Sequence, residues 1–287
     1  RNFTPPSIFV VGDVVALRKD LDWYETKPLF GKGIVITRPK EQAGEFAALL
    51  NERGARAIMF PTISIVPPES CDDLDRAVDS IESYDWIVFT SANGVRFFFD
   101  RLKTRRRDIR DLRGIRICTI GPASASVMEG YGLTVDIIPG DYISEGVVDA
   151  FREHDMDGKR VLLPRAETAR DVIPEGLAEM GARVDVVTAY RTVTSKEDPA
   201  ELFDLIDQNK VDVITFTSPS TVRGFVEIVG RKRKLPPSVR IACIGPVTAK
   251  AAEKAGFTVD IIHGPYVIAG LVDALEEAFR RDSGIEK

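Results

Sequence analysis

Four short polar turns are the strongest candidates for chemistry in this sequence. Thr90-Ser91-Ala92-Asn93-Gly94 and Thr217-Ser218-Pro219-Ser220 each follow an apolar run, as do Gly121-Pro122-Ala123-Ser124 and Gly245-Pro246-Val247-Thr248. Ser, Thr and Asn at a strand-to-helix turn are good helix N-caps, and proline suits the first helical turn. The same placement presents N–H groups and the positive end of a helix dipole to an anion. Each turn taken singly fits either reading. Several of them at equivalent edges favour an anionic ligand, because ligands of open α/β sheets sit beyond the carboxyl ends of the strands.

Other chemistries are poorly served. The three cysteines, Cys71, Cys118 and Cys243, are far apart and form no CxxC pair, so neither a disulfide framework nor a thiolate zinc site is expected. Only His154 and His263 are present, too few for a multi-histidine metal site. Neither metal nor thiolate chemistry is expected. A net charge of −5 argues against nucleic acid as the main partner. No apolar run approaches the ~18 residues of a membrane span, and no secretory signal is seen, so a cytoplasmic setting is expected.

The elements that must position these turns follow from an internal repeat. Gly31-Lys32-Gly33-Ile34-Val35-Ile36-Thr37-Arg38 matches Gly158-Lys159-Arg160-Val161-Leu162-Leu163-Pro164-Arg165, and Gly54-Ala55-Arg56 matches Gly181-Ala182-Arg183. Phe89-Thr90-Ser91 matches Phe216-Thr217-Ser218, Ile120-Gly121-Pro122 matches Ile244-Gly245-Pro246, and Thr134–Ile138 matches Thr258–Ile262, always in order and at an offset of about 125 residues. Continuous apolar runs predict strands covered on both faces: Ile34–Thr37, Ala57–Phe60, Trp86–Thr90, Ile115–Ile120 and Val135–Ile138 in the first copy. Val161–Leu163, Val184–Thr188, Val213–Thr217, Val239–Ile244 and Val259–Ile262 are their counterparts. Helical patterns such as Glu41–Arg53 lie between them. The fold class is α/β, with two open parallel-sheet lobes of flavodoxin or Rossmann type and a cleft between them.

Residues 1–30 stand apart. Ser7–Val15 is apolar and β-branched and reads as a strand, and Leu17–Trp23 as a turn or two of helix. One strand cannot build a core. The segment reads as the end of a preceding domain, with an extension lying along the main body as the alternative.

The ordered set of motifs resembles uroporphyrinogen-III synthase. Its carriers are Ile36-Thr37-Arg38-Pro39, Phe89–Val95, Ile120-Gly121-Pro122, Tyr190-Arg191-Thr192, Phe216–Ser220 and Ile244–Ala249, spanning about Gly31 to Phe279. Pro5–Val15 and Leu21-Asp22-Trp23-Tyr24-Glu25 resemble the carboxyl end of uroporphyrinogen-III C-methyltransferase, as in a bifunctional fusion. The resemblance implies an exchange of the first strand–helix–strand units. One lobe is then residues 31–64 with 191–281, the other 67–187, joined by a two-stranded linker at 63–68 and 188–193.

It also implies a reaction. The family closes hydroxymethylbilane, a linear tetrapyrrole with eight carboxylates, into a ring, inverting the last pyrrole and losing water without a cofactor. On that implication Tyr190 is the catalytic candidate, protonating or holding the leaving hydroxyl, or else an amphipathic packing residue. Substrate carboxylates are assigned to Arg38, Ser91, Asn93, Gly121, Ser124, Ser144, Arg165, Ser218, Ser220, Gly245 and Thr248, with surface capping of strand ends as the other reading of the two arginines. Hydroxyl coverage is asymmetric: Val247 stands where a hydroxyl is common in the family, and Ile268-Ala269-Gly270 opposes Ser144-Glu145-Gly146. The synthase part is expected to be monomeric, and a full fusion dimeric through its methyltransferase. The runner-up function is a non-catalytic two-lobed module for small anions. The basic runs Lys103–Arg107 and Arg231–Lys234 read as solvated helix-to-strand loops, and Asp72-Asp73-Leu74-Asp75 as a helix start.

Overall fold

The computed structural model describes residues 8–230, 234–264 and 267–282. In chain order the elements begin with α1 (Arg18–Leu21), β1 (Gly33–Ile36), α2 (Gly44–Glu52), β2 (Arg56–Met59), β3 (Ile63–Val66), α3 (Asp72–Asp79), β4 (Trp86–Phe89) and α4 (Ala92–Thr104). The middle of the chain gives β5 (Arg116–Thr119), α5 (Pro122–Gly130), α6 (Ser144–Phe151), β6 (Arg160–Ala166), α7 (Val172–Glu179) and β7 (Arg183–Thr194). Then come α8 (Ala200–Asp207), β8 (Val213–Phe216), α9 (Pro219–Val229), β9 (Arg240–Cys243), α10 (Pro246–Lys254), β10 (Ile261–Ile262) and α11 (Ile268–Asp282). No helix among the described residues is long and apolar enough to cross a membrane.

The chain divides into two compact units, one running to Ser64 and resuming at Thr194, the other Ile65–Val193. The first holds a sheet of order β10-β9-β8-β1-β2, with all pairs parallel. The second holds β7-β6-β4-β5, also parallel, with β3 beside β7 at its edge. Central strands β1, β4 and β8 are buried along their whole length, whereas the edge strand β2 is half-exposed. Burial on both faces is what the unbroken apolar runs encode.

Side chains alternate across each sheet. In the first unit, Ile34 and Ile36 pack with Phe46, Leu50, Leu271 and Leu275 of α2 and α11. Val35, Ile214 and Phe216 face Leu202, Ile206, Val222 and Phe225 of α8 and α9. In the second unit, Ile87, Phe89 and Ile117 meet Phe98, Leu102 and Met128, while Trp86, Val88 and Leu163 meet Phe151 and Leu177.

The sequence copies are exchanged between these units. Asp212 of the second copy accepts the Gly33 N–H (2.8 Å) and faces Lys32 (3.5 Å), both of the first copy. Asp85 of the first copy accepts the Arg160 N–H (2.9 Å) and faces Lys159 (3.5 Å), both of the second. The same Lys and Asp pattern thus registers β1 on β8 and β6 on β4.

Two local expectations fail. No strand forms within residues 8–15; Asp13–Leu17 makes a 3-10 turn, and Ile8 and Val11 lie about 90 % exposed. A β-branched run needs a ladder partner, and neither sheet offers it one. Val135–Ile138 shrinks to a single bridge between Ile137 and Cys118. The Asp136 carboxylate takes the Ile117 N–H (2.7 Å), just as Asp260 takes the Ile241 N–H (2.8 Å) where the counterpart Val259–Ile262 shortens to Ile261–Ile262.

The first basic run is not loop throughout: Lys103 and Thr104 close α4, and Arg105 and Arg107 pair with Asp79 and Glu82. Residues 231–233 of the second run lie outside the described residues, as do residues 1–7. Arg101 and Asp75 complete this seam between α3 and α4, and hydrogen bonding to Arg101 holds the Asp75 carboxyl below its ordinary range. A depressed carboxyl stabilises the fold above its unfolded value near ~4, and that contribution is lost as pH falls through the folded value. Acid thermal melts of Asp75→Asn should therefore fall less steeply below pH ~4 than those of the parent; parallel curves would remove the pair from the acid response.

Candidate functional site

In the second unit the chain leaves β4 at Ser91, whose backbone is extended and whose Oγ accepts the Gly94 N–H at 3.0 Å, capping α4. Gly94 packs closely here: a Cβ would stand 3.0 Å from the Pro164 carbonyl oxygen and 3.4 Å from Ser91 Oγ. Ser91 Oγ also lies 2.9 Å from the hydroxyl of Tyr190. Tyr190 comes from β7, opposite Ala166 of β6, and its ring stacks on Phe97 of α4 at 5.8 Å between centroids. Only 8 % of the residue is exposed. Burial pushes its pKa above the ordinary value of 10, against the opposing pull of the Ser91 hydrogen bond. The phenol is therefore protonated at neutral pH. Either hydroxyl can donate in this pair; where Ser91 Oγ–H donates to the phenol oxygen, the Tyr190 proton is left for another acceptor.

The neighbouring strand β5 ends in the second turn. Gly121 precedes α5 and gives no side-chain cap; Pro122 takes the first helical position. Ser124 lies inside that first turn, 3 % exposed, with its N–H donated to the Gly121 carbonyl (3.1 Å). Asn93 is half-buried in the first turn of α4, and Ser144 is the first residue of α6. Arg165, at the end of β6, is engaged by its own loop: it donates to the Arg170 carbonyl (2.9 Å) and to Asp171 Oδ1 (2.6 Å). A substrate carboxylate would have to displace Asp171 to use it.

The first unit repeats the pattern with different detail. Ser218 Oγ accepts the Thr221 N–H (3.2 Å), and Thr221 Oγ1 accepts the Ser218 N–H (3.3 Å), a reciprocal cap for α9. Ser220 Oγ accepts from Arg223 (3.1 Å). Gly245 opens α10 uncapped, and Thr248 is buried in its first turn. Arg38 follows β1 and donates to Gln42 Oε1 (3.1 Å), while its Nε is buried without a hydrogen-bond partner. Burial lowers its pKa, partly offset by Glu45. A buried unsatisfied guanidinium N–H is costly, which suits a group awaiting an anion.

Two supports went unread in the sequence. Phe97 backs the Tyr190 ring. A set of buried threonines stiffens the carboxyl edge of the first sheet: Thr37 donates to the Thr215 carbonyl (2.6 Å), Thr215 to Val35 (2.7 Å) and Thr62 to Thr221 (2.9 Å). The available signal was a threonine inside two of the apolar runs, Thr37 and Thr215; Thr62 follows Pro61 outside them.

Residues 44–273 match the family model described as "Uroporphyrinogen-III synthase HemD". The chain belongs to the uroporphyrinogen-III synthase family. A putative uroporphyrinogen-III synthase of Methanothermobacter thermautotrophicus is 35 % identical over 257 residues, covering 87 % of this chain and 99 % of that one. The porphyrin biosynthesis protein HemD of Ruminiclostridium josui is 34 % identical over 250 residues, 87 % of this chain; the chain spans 49 % of that relative's length. The crystal structure of a mutant uroporphyrinogen III synthase from Thermus thermophilus aligns with a TM-score of 0.59 at 19 % identity, over 87 % of this chain and 99 % of that one, a likeness of fold. Within this synthase family member, each unit gathers its polar turns at the carboxyl edge of its own sheet. The first unit's edge offers the uncapped start of α10 and the buried Arg38 Nε without a partner; the second unit's edge offers the uncapped start of α5 and the buried, protonated Tyr190 phenol.

Proposed function

We propose that the chain is a uroporphyrinogen-III synthase that takes hydroxymethylbilane, removes water from its hydroxymethyl end, and closes the ring with the last pyrrole inverted. The overall loss of water makes it a hydro-lyase. Tyr190 donates its proton, or a hydrogen bond, to the departing hydroxyl. Ser91 orients the phenol, and the Gly94 N–H orients Ser91. The observation that carries this reading is the 2.9 Å contact between the Tyr190 and Ser91 hydroxyls at the start of α4. Carboxylates are received by the first turns of α4, α5, α9 and α10, by Arg38, and by the hydroxyls of Ser91, Ser218 and Ser220. Fixed backbone dipoles bind an anion without ordering side chains, so an acidic protein can hold a polyanion. Ser124 and Thr248, buried in their first turns, contribute chiefly by positioning backbone.

The reading extends to residues 1–30 as the end of a C-methyltransferase domain, supported by their residue pattern. The deciding assay incubates the protein with hydroxymethylbilane and separates the oxidised products by chromatography. Isomer III above background is expected. Isomer I alone, at the uncatalysed rate, would leave the non-catalytic anion-binding module as the better reading.

A further inference from the structure

Tyr142 lies on the loop before α6, 60 % exposed, and the fold nevertheless holds it in a fixed seat. Its ring rests against Gly121: a Cβ built there would stand 3.2 Å from Tyr142 Cγ. The loop is clamped a second time at Gly146, where a Cβ would come within 2.2 Å of the Asp141 carbonyl oxygen. The Ile143 N–H closes the turn by donating to that same carbonyl (2.9 Å). The ring thus lies tight on the Gly121 backbone, and the loop that carries it is packed on bare backbone at Gly146, although the tyrosine buries little and packing alone gives a weak reason for it.

The repeat gives an independent observation. Gly140-Asp141-Tyr142-Ile143-Ser144-Glu145-Gly146 corresponds to Gly264-Pro265-Tyr266-Val267-Ile268-Ala269-Gly270. Between the copies Asp141, Ser144 and Glu145 have all changed class, while both glycines and the tyrosine persist. Tyr266 lies outside the described residues, and only its identity enters the comparison. Ile143, next to Tyr142 in the chain, is 52 % exposed.

Position is the third observation. Phe89 of β4 pairs with Thr119 of β5, and the Ile120 N–H donates to the Phe89 carbonyl (2.9 Å). The Gly121 turn beneath Tyr142 is therefore the immediate neighbour of the Ser91 turn that holds Tyr190. α5 begins there without a side-chain cap.

We propose that Tyr142 is a positioning residue for the substrate: its ring stacks on one pyrrole, and the first turn of α5 receives that pyrrole's carboxylate. The inference rests on the synthase reading and deepens it. A pyrrole with acidic arms needs both a flat apolar contact and an anion site within a few ångströms, and this edge supplies both. Stacking holds that ring equally in the ground state and the transition state, so it contributes to binding rather than to the rate of the reacting step.

Steady-state kinetics on hydroxymethylbilane test it with three variants. Tyr142→Ala should raise KM about tenfold while kcat stays within about twofold, the signature of lost ground-state binding. Tyr142→Phe should return KM to the parent value, and Tyr142→Leu should not, since an aliphatic of similar bulk cannot stack. Thermal midpoints should be unchanged across the set. A Tyr142→Ala KM within about twofold of the parent, or equal rescue by Leu and Phe, overturns the ring contact. If the parent itself yields no isomer III, the synthase reading falls and takes this inference with it.

Discussion

Tyr190→Phe should lower kcat by about ten- to a hundredfold, leave KM near the parent value, and still produce isomer III. The substitution removes one oxygen and keeps the ring on Phe97, so substrate positioning survives while the proton donor is lost. On the proposed reading isomer III persists because the protein's larger task is to hold the chain in the conformation that inverts the last ring, which the phenol oxygen does not do. The pH profile is the second readout. Burial raises the Tyr190 pKa above 10, so its proton is in place across the whole neutral range. No alkaline fall attributable to this phenol is expected below pH ~9. Ser91→Ala should fall between the two enzymes in kcat and should also cost about 1 kcal/mol of stability, because it removes the α4 cap. An unchanged kcat in Tyr190→Phe would remove the phenol from the mechanism, and complete loss of isomer III would show that it does more than assist.

The legible parts of this protein were those encoded locally. Unbroken apolar runs marked β1, β4 and β8 because a strand covered on both faces has no polar side to show. Ser91 and Ser218 could be recognised as caps because the residue type, the preceding strand and the following helix all agree. Ser124 and Thr248 follow a second local rule: a hydroxyl three residues past the N-cap glycine falls inside the first helical turn when Gly-Pro opens the helix. The engagement of Arg165 with Asp171 depends on the path of a loop, which composition does not specify.

Strand partners were the least legible. Lys32 before β1 and Lys159 before β6 have the same choice of partners, Asp85 or Asp212, since each copy carries both halves of the motif. Either assignment satisfies the same hydrogen bonds, so periodicity and spacing cannot choose between contiguous and exchanged units. Residues 8–15 failed for a related reason. Their composition favours a strand, but a strand exists only where a ladder receives it.

Gly33→Ala is expected to destabilise the protein by at least ~3 kcal/mol, and to do so in one unit. In the repeat Gly33 is matched by Arg160, so at the level of sequence the pair looks like neutral drift. The exchange makes them unequal. Gly33 sits beside the Asn209–Lys210 turn, whose Asn209 has φ 55°, and a Cβ on Gly33 would stand 1.9 Å from the Lys210 carbonyl oxygen. At the matching place in the second unit the chain leaves room for a whole arginine, which reaches Ser83 Oγ (2.7 Å) and Asp185 Oδ2 (2.7 Å). Arg160→Ala should accordingly cost under ~1 kcal/mol, because its ion pair is about 40 % exposed on both sides. Denaturant melts compare the two magnitudes, and hydrogen exchange locates them. Protection should drop in β1, β8 and β9, although β8 and β9 belong to the other sequence copy. It should hold in β4, β5 and β6. Loss of protection in β4 and β5, the strands that share a sequence copy with Gly33, would mean that β1 belongs with them and that the exchanged pairing is wrong.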